Sequence, residues 1–135
     1  MEIKKYDYFE ARFSISVQGN PFDLELNAKV ICPDKTVKIA SGFYDGDDTF
    51  AFRFMPESEG EYLYEISSHN SELNGKTGSF ICIQNENLNH GKVKVKNRYW
   101  FEYEDGTPYF EAGTTCYAWI HQSEDLQEQT LQTLA

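Results

Sequence analysis

Tyr117, Trp119 and His121 stand at alternate positions in the run Tyr109-Phe110-Glu111-Ala112-Gly113-Thr114-Thr115-Cys116-Tyr117-Ala118-Trp119-Ile120-His121. Two aromatic faces and one imidazole make a set suited to sugars: a ring stacks on the apolar C–H face of a saccharide, and imidazole nitrogens hydrogen-bond its hydroxyls. These three are the candidate substrate-binding residues. Packing in a core or against another domain is the competing use of Tyr117 and Trp119, and the two readings carry equal weight.

Other chemistry is thinner. Gly42-Phe43-Tyr44-Asp45-Gly46-Asp47-Asp48 is the densest acidic loop, and its three carboxylates could hold Ca²⁺. It lacks the ligand spacing and terminal Glu of a calcium loop, so a solvated turn between strands is the expectation. His69, His90 and His121 are far apart and have no zinc-type companions, which makes them surface-loop residues. No nucleophile elbow, phosphate loop or dinucleotide fingerprint is present. The expectation is therefore no catalytic residue, no metal and no cofactor within this chain.

The formal net charge of −10, with Lys and Arg scattered, repels a phosphate backbone and excludes nucleic acid as a partner. No apolar run reaches the length of a membrane span, and Met1-Glu2-Ile3-Lys4-Lys5-Tyr6-Asp7 lacks the apolar core of a secretion signal. A cytoplasmic address follows if Met1 is the native start. Three cysteines leave at least one unpaired, which fits a reducing compartment; a Cys32 to Cys82 bridge is the alternative.

The elements that position these residues come from a period of two. Phe13 to Val17, Leu24 to Val30, Val37 and Ile39, Phe50 to Phe54, Tyr62 to Ile66 and Phe80 to Ile83 alternate, and turn residues bound each run. Regularly spaced short strands describe a sandwich or barrel. The 16% aromatic content, with ten Phe and nine Tyr, suits pleated, half-buried surfaces. Ser58-Glu59-Gly60-Glu61-Tyr62 has the pattern of a tyrosine corner and favours a sandwich. Arg53, between Phe52 and Phe54, points outward if those rings face in, where it pairs with an acidic neighbour or, second, contacts sugar.

Asn85-Glu86-Asn87-Leu88-Asn89-His90-Gly91 is polar and turn-rich, so the first domain ends there. Tyr99 to Tyr103 and Tyr109 to Phe110 then flank Asp105-Gly106 as a hairpin. Beyond it, a strand, an aromatic loop and a helix opening at Ser123, with Glu124 and Asp125 in its first turn, form a β-loop-α unit. In a (β/α)8 barrel the loop after a strand lies on the catalytic face, which turns Tyr117, Trp119 and His121 toward substrate. Leu126, Leu131, Leu134 and Ala135 approximate one helical face with no stop signal after them, so the expectation is a piece of a longer protein. The expected fold is all-β: an immunoglobulin-like β-sandwich over 1–85, a linker and hairpin over 86–108, and over 109–135 the first strand and helix of an incomplete (β/α)8 barrel.

Asn20-Pro21-Phe22-Asp23, Gly42-Phe43-Tyr44-Asp45-Gly46, Arg53-Phe54-Met55-Pro56 and Gly60-Glu61-Tyr62 resemble the immunoglobulin-like domain of formerly unknown function at the N-terminus of certain bacterial glycoside hydrolases. Asp105-Gly106-Thr107-Pro108-Tyr109-Phe110 and Gly113-Thr114-Thr115, with Tyr117, Trp119, His121 and Gln122, resemble the entrance to their catalytic barrel. Tyr62 stands where the family pattern often has Trp, a departure that keeps the packing role. The resemblance implies a parent enzyme that cleaves glycosidic bonds with an acid/base and a nucleophilic carboxylate. Both would sit on later barrel strands, so Glu111 on the first strand is not nominated.

The resemblance therefore implies an accessory module that braces its own catalytic barrel and shapes the substrate cleft, with oligosaccharide or polysaccharide as the parent's ligand. A carbohydrate-binding module is the first alternative, and an adhesion or scaffolding sandwich the second. The chain alone is expected to hydrolyse nothing.

Overall fold

The structure, a computed structural model, describes residues 1–86 and 89–134. Alternating apolar residues build β1 (Glu2–Lys4), β2 (Phe9–Ser14), β3 (Leu26–Ile31), β4 (Val37–Tyr44), β5 (Thr49–Phe54), β6 (Gly60–Ser68) and β7 (Thr77–Ile83). They join in one seven-stranded sheet of order β1-β7-β6-β3-β4-β5-β2. Every pairing is antiparallel except β1 with β7. A second, three-stranded antiparallel sheet holds β8 (Val93–Val95), β9 (Phe101–Tyr103) and β10 (Pro108–Tyr109), in the order β10-β9-β8. One α-helix, α1 (Glu124–Leu134), closes the described chain.

The long strand β4 explains why the sheet is continuous. Its residues Val37 to Ser41 pair with β3, and Gly42 to Tyr44 pair with β5 on the other side. The two ladders therefore meet end to end on β4, one handing over to the other between Ser41 and Gly42, and the sheet curls there. Gly42 marks the switch: a Cβ at this position would lie 2.2 Å from Leu26 Cδ2 and 2.8 Å from the Ala51 carbonyl oxygen. Only a residue without a side chain lets the strands approach so closely.

Curling brings the wings of the sheet face to face. Phe9 of β2 stacks on Phe80 of β7 with ring centroids 4.2 Å apart and planes 11° from parallel, and Tyr62 of β6 stacks on Phe80 at 4.9 Å. Phe52 meets Tyr64 edge-on at 5.1 Å, and Phe54 meets Tyr62 at 5.7 Å. Phe50, Phe52, Tyr62, Ile66, Leu73 and Phe80 are fully buried around these contacts. The Tyr62 hydroxyl donates to the Ser58 carbonyl at 2.9 Å and accepts from the Ser58 N–H at 3.2 Å, so the local contact expected at this strand start forms.

The expected fold class needs correcting. A mostly β chain is found, but residues 1–85 do not form two separately paired sheets as an immunoglobulin-like β-sandwich would; β4 pairs on both edges and fuses them into one nearly closed sheet. Among the described residues no first strand and helix of a (β/α)8 barrel is seen either. The strand at Tyr109 is two residues long and pairs antiparallel with Phe101 of the preceding hairpin. Residues 110–118 then run without regular ladder partners, so no parallel strand forms on which α1 could pack. The expected boundary over Asn85 to Gly91 falls partly on residues 87 and 88, outside the described residues, as does the helical position of Ala135.

All three cysteines are free, Cys32 and Cys82 buried and Cys116 exposed. No described helix is long and apolar enough to cross a membrane.

Gly42→Ala is expected to destabilise the fold by about 1–3 kcal/mol in urea unfolding, because the added methyl has to displace backbone as well as Leu26. Gly113→Ala is the control: a Cβ there meets nothing within 4 Å, and its unfolding midpoint should not move.

Candidate functional site

The candidate residues lie between β10 and α1. Ala118 takes a left-handed conformation with φ 57°, and Trp119–His121 make one 3-10 turn before α1 begins. The Trp119 indole N–H donates to the Gln127 carbonyl at 3.2 Å, and Gln127 Nε2 donates to the Gln122 carbonyl at 2.8 Å, so the helix holds the indole in place. Tyr117 is 92% exposed.

Tyr117 and Trp119 line one open depression of about 410 Å³ with Cys116, Gln122, Leu126 and Thr130. His121 is exposed and outside that lining. The structure thus brings together two of the three candidates. The lining offers an aromatic face and an amide but no carboxylate, so it suits binding rather than acid–base chemistry. Glu111 is exposed on the irregular stretch before it.

A second constellation lies on the outward face of β2 and β5. Glu10 stands opposite Arg53 in the ladder and accepts from its Nε at 2.6 Å, and from Arg12 Nη1 at 2.6 Å. Arg12 also donates to Asp45, which gives the acidic loop a structural use. Arg53, and after it Arg12, hold the Glu10 carboxyl below its ordinary range. The Arg53 guanidinium lies 5.0 Å from the Phe43 ring centroid and 5.5 Å from that of Tyr8. Alternation pointed Arg53 outward; its partner Glu10, and Arg12, which shares that carboxylate, were missed, although register with β2 would have found Glu10.

Between the two sheets opens a polar cleft of about 460 Å³, lined by Lys5, Tyr6, Glu59, Gln84, His90, Glu104 and Asp105 among others. Sequence reasoning missed it, because its walls come from segments far apart in the chain. His90 Nδ1 is 2.7 Å from Asp105 Oδ2, and the Thr107 N–H donates to Asp105 Oδ1 at 2.9 Å. The Thr107 amide, then His90, pulls the Asp105 carboxyl down to about 2. The ring of His90 also packs on Tyr103 at 5.1 Å. Elsewhere, Lys92 and then Lys38 hold Glu57 ionised below its ordinary range, and Glu57 so ties the approach to β8 to strand β4. Among the described residues no group of three or more His, Cys, Asp and Glu is placed to hold a metal ion.

The family model described as "Domain of unknown function (DUF5060)" matches residues 2–69, half of the chain. No curated protein matches it. Among solved structures, a "putative glycoside hydrolase from Bacteroides vulgatus ATCC 8482" is 44% identical, with a TM-score of 0.89 over 97% of this chain. This chain spans about a quarter, 25%, of that one.

Asp105 gives a pH test. Its folded carboxyl titrates at about 2 instead of 3.8, so ionisation adds stability that is fully present above the unfolded value and is lost as pH falls through the folded one. Asp105→Asn should be less stable than the parent at neutral pH, and the difference should shrink as the urea midpoint is followed from about pH 5 to about pH 2. A pH-independent difference would assign the bonds another role.

Proposed function

We propose that this chain, which belongs to the DUF5060 family of domains of unknown function, is a non-catalytic accessory module of a glycoside hydrolase-like protein. It braces the catalytic portion of that protein and shapes the substrate cleft. One observation carries the reading: 44% identity and a TM-score of 0.89 over 97% of the chain link it to a protein described as a putative glycoside hydrolase and about four times as long. In this reading 1–85 is the module, 86–108 the linker and hairpin, and 109–135 the stretch leading toward the catalytic portion. The partners are that portion and an oligosaccharide or polysaccharide, with neither nucleic acid nor membrane involved.

Tyr117, Trp119 and His121 then serve as saccharide contacts. The open ring of Tyr117 beside the pinned indole supports that role, since stacking needs an aromatic face free of protein. The same feature favours the second reading, in which the chain binds saccharide on its own as a carbohydrate-binding module.

Aryl glycosides and oligosaccharides incubated with this chain should show background hydrolysis; a turnover by it would overturn the accessory reading. Calorimetry with neutral and uronate-bearing oligosaccharides separates the two readings, because binding by the isolated chain selects the carbohydrate-binding module. In a longer protein that contains the chain, Trp119→Ala should lower kcat/KM by about tenfold, the loss of one stacking contact.

A further inference from the structure

The outward face of the first sheet carries a band that strand alternation leaves apolar where water should be met. Val37, Ile31 and Leu63 stand side by side across β4, β3 and β6. Ile39 extends the band along β4, and Ile81, opposite Glu61, extends it onto β7. Ile39 is 64% exposed, Val37 50%, Ile81 46% and Leu63 44%. Their sequence neighbours Val30, Tyr62, Phe80 and Cys82 point the other way and are buried, so this band is separate from the core. Antiparallel sheets with one packed face put polar residues on the other, and a contiguous open apolar patch rimmed by charge marks an interaction site.

The side chains of the band select its occupant. It is aliphatic and offers no aromatic ring for a sugar to stack on, which leaves a protein surface. Beside Ile31 and Leu63 a dent of about 160 Å³ gives room for an apolar side chain. The rim then discriminates among proteins. Lys29 and Glu65, opposite each other between β3 and β6, flank one side, while Lys35 and Glu61 border the dent on the other. None of the four makes an ion pair among the described residues.

Lys29, Lys35, Glu61 and Glu65 balance one another across β3 and β6 on a chain of net charge −10, while the exposed Glu2, opposite Ile81, adds one carboxylate at the far edge. A surface with one charge of each sign on either flank is complementary to itself when turned about a two-fold axis. We propose that this face is a two-fold interface between two copies of the chain, with Ile31 and Leu63 near its centre and the Lys and Glu residues at its rim. The proposal is independent of the glycoside hydrolase reading.

Sedimentation equilibrium of the full chain tests it, in about 0.5 M salt so that repulsion between two acidic copies is screened. A reversible monomer–dimer equilibrium is expected. Leu63→Glu and Ile39→Glu should each weaken it by about tenfold or more, with thermal unfolding unchanged when measured at a concentration low enough for the parent to be monomeric, because both positions face solvent. Leu131→Glu, on the exposed side of α1, should leave it intact. A monomeric mass at every concentration overturns the proposal and leaves the band to a different protein. So does a dimer that survives both band variants, or one abolished by Leu131→Glu alone.

Discussion

The stack of Phe9 on Phe80, with Tyr62 against the other part of the same aromatic column, holds the architecture together. Phe9 belongs to the last strand of the sheet order and Phe80 to the second, so their contact converts an open ladder into a curled one. Without it, the backbone hydrogen bonds across β4 would persist, and the two wings would keep only non-stacked contacts, among them those of Phe52 with Tyr64 and of Phe54 with Tyr62. Each aromatic pair contributes about 0.5–1.5 kcal/mol beyond the area it buries, and the column places two in series. Gly42 permits the bend and the stack makes it worthwhile; neither suffices alone.

The second sheet is fixed by a different kind of contact. Tyr6, buried with φ 69°, donates its N–H to the Pro56 carbonyl at 3.0 Å and receives the Asn89 side-chain amide on its own carbonyl. Its ring lies against Gly91, where a Cβ would meet Tyr6 and Glu104 at 2.9 Å. Glu57 adds a charged link to Lys92 from the first sheet. Polar bonds and close backbone approach do here what aromatic burial does in the main core. The cleft between the sheets, with His90 bonded to Asp105, is the by-product of that junction.

How far these features could be read from the residues depended on range. Phe50 to Phe54, Tyr62 to Ile66 and Phe80 to Ile83 were legible as strands because aromatic and β-branched residues alternate there. β1 was not, since Glu2, Ile3 and Lys4 gain their strand only by pairing with β7. β8 hid in a run of lysines, where Lys94 faces Glu102. The joining of all seven strands into one sheet was invisible, because it rests on β4 pairing along both edges, which no local pattern records. At the candidate site, Tyr117 and Trp119 meet because they are close in sequence. His121 does not join them: the first and third residues of a 3-10 turn, with three residues per turn, point in different directions. The outward aliphatic band was overlooked for the opposite reason, since apolar residues were assigned to a core that already had its complement.

The placement of the first two strands bears on how the polypeptide is made. β1 and β2 adjoin in sequence but occupy opposite ends of the sheet, one against β7 and the other against β5. On the ribosome each precedes its partner strand by dozens of residues, so each waits unpaired until that partner has emerged. The two strands thus act as clasps at the two ends of the sheet, and each can close only after its distant partner has been made.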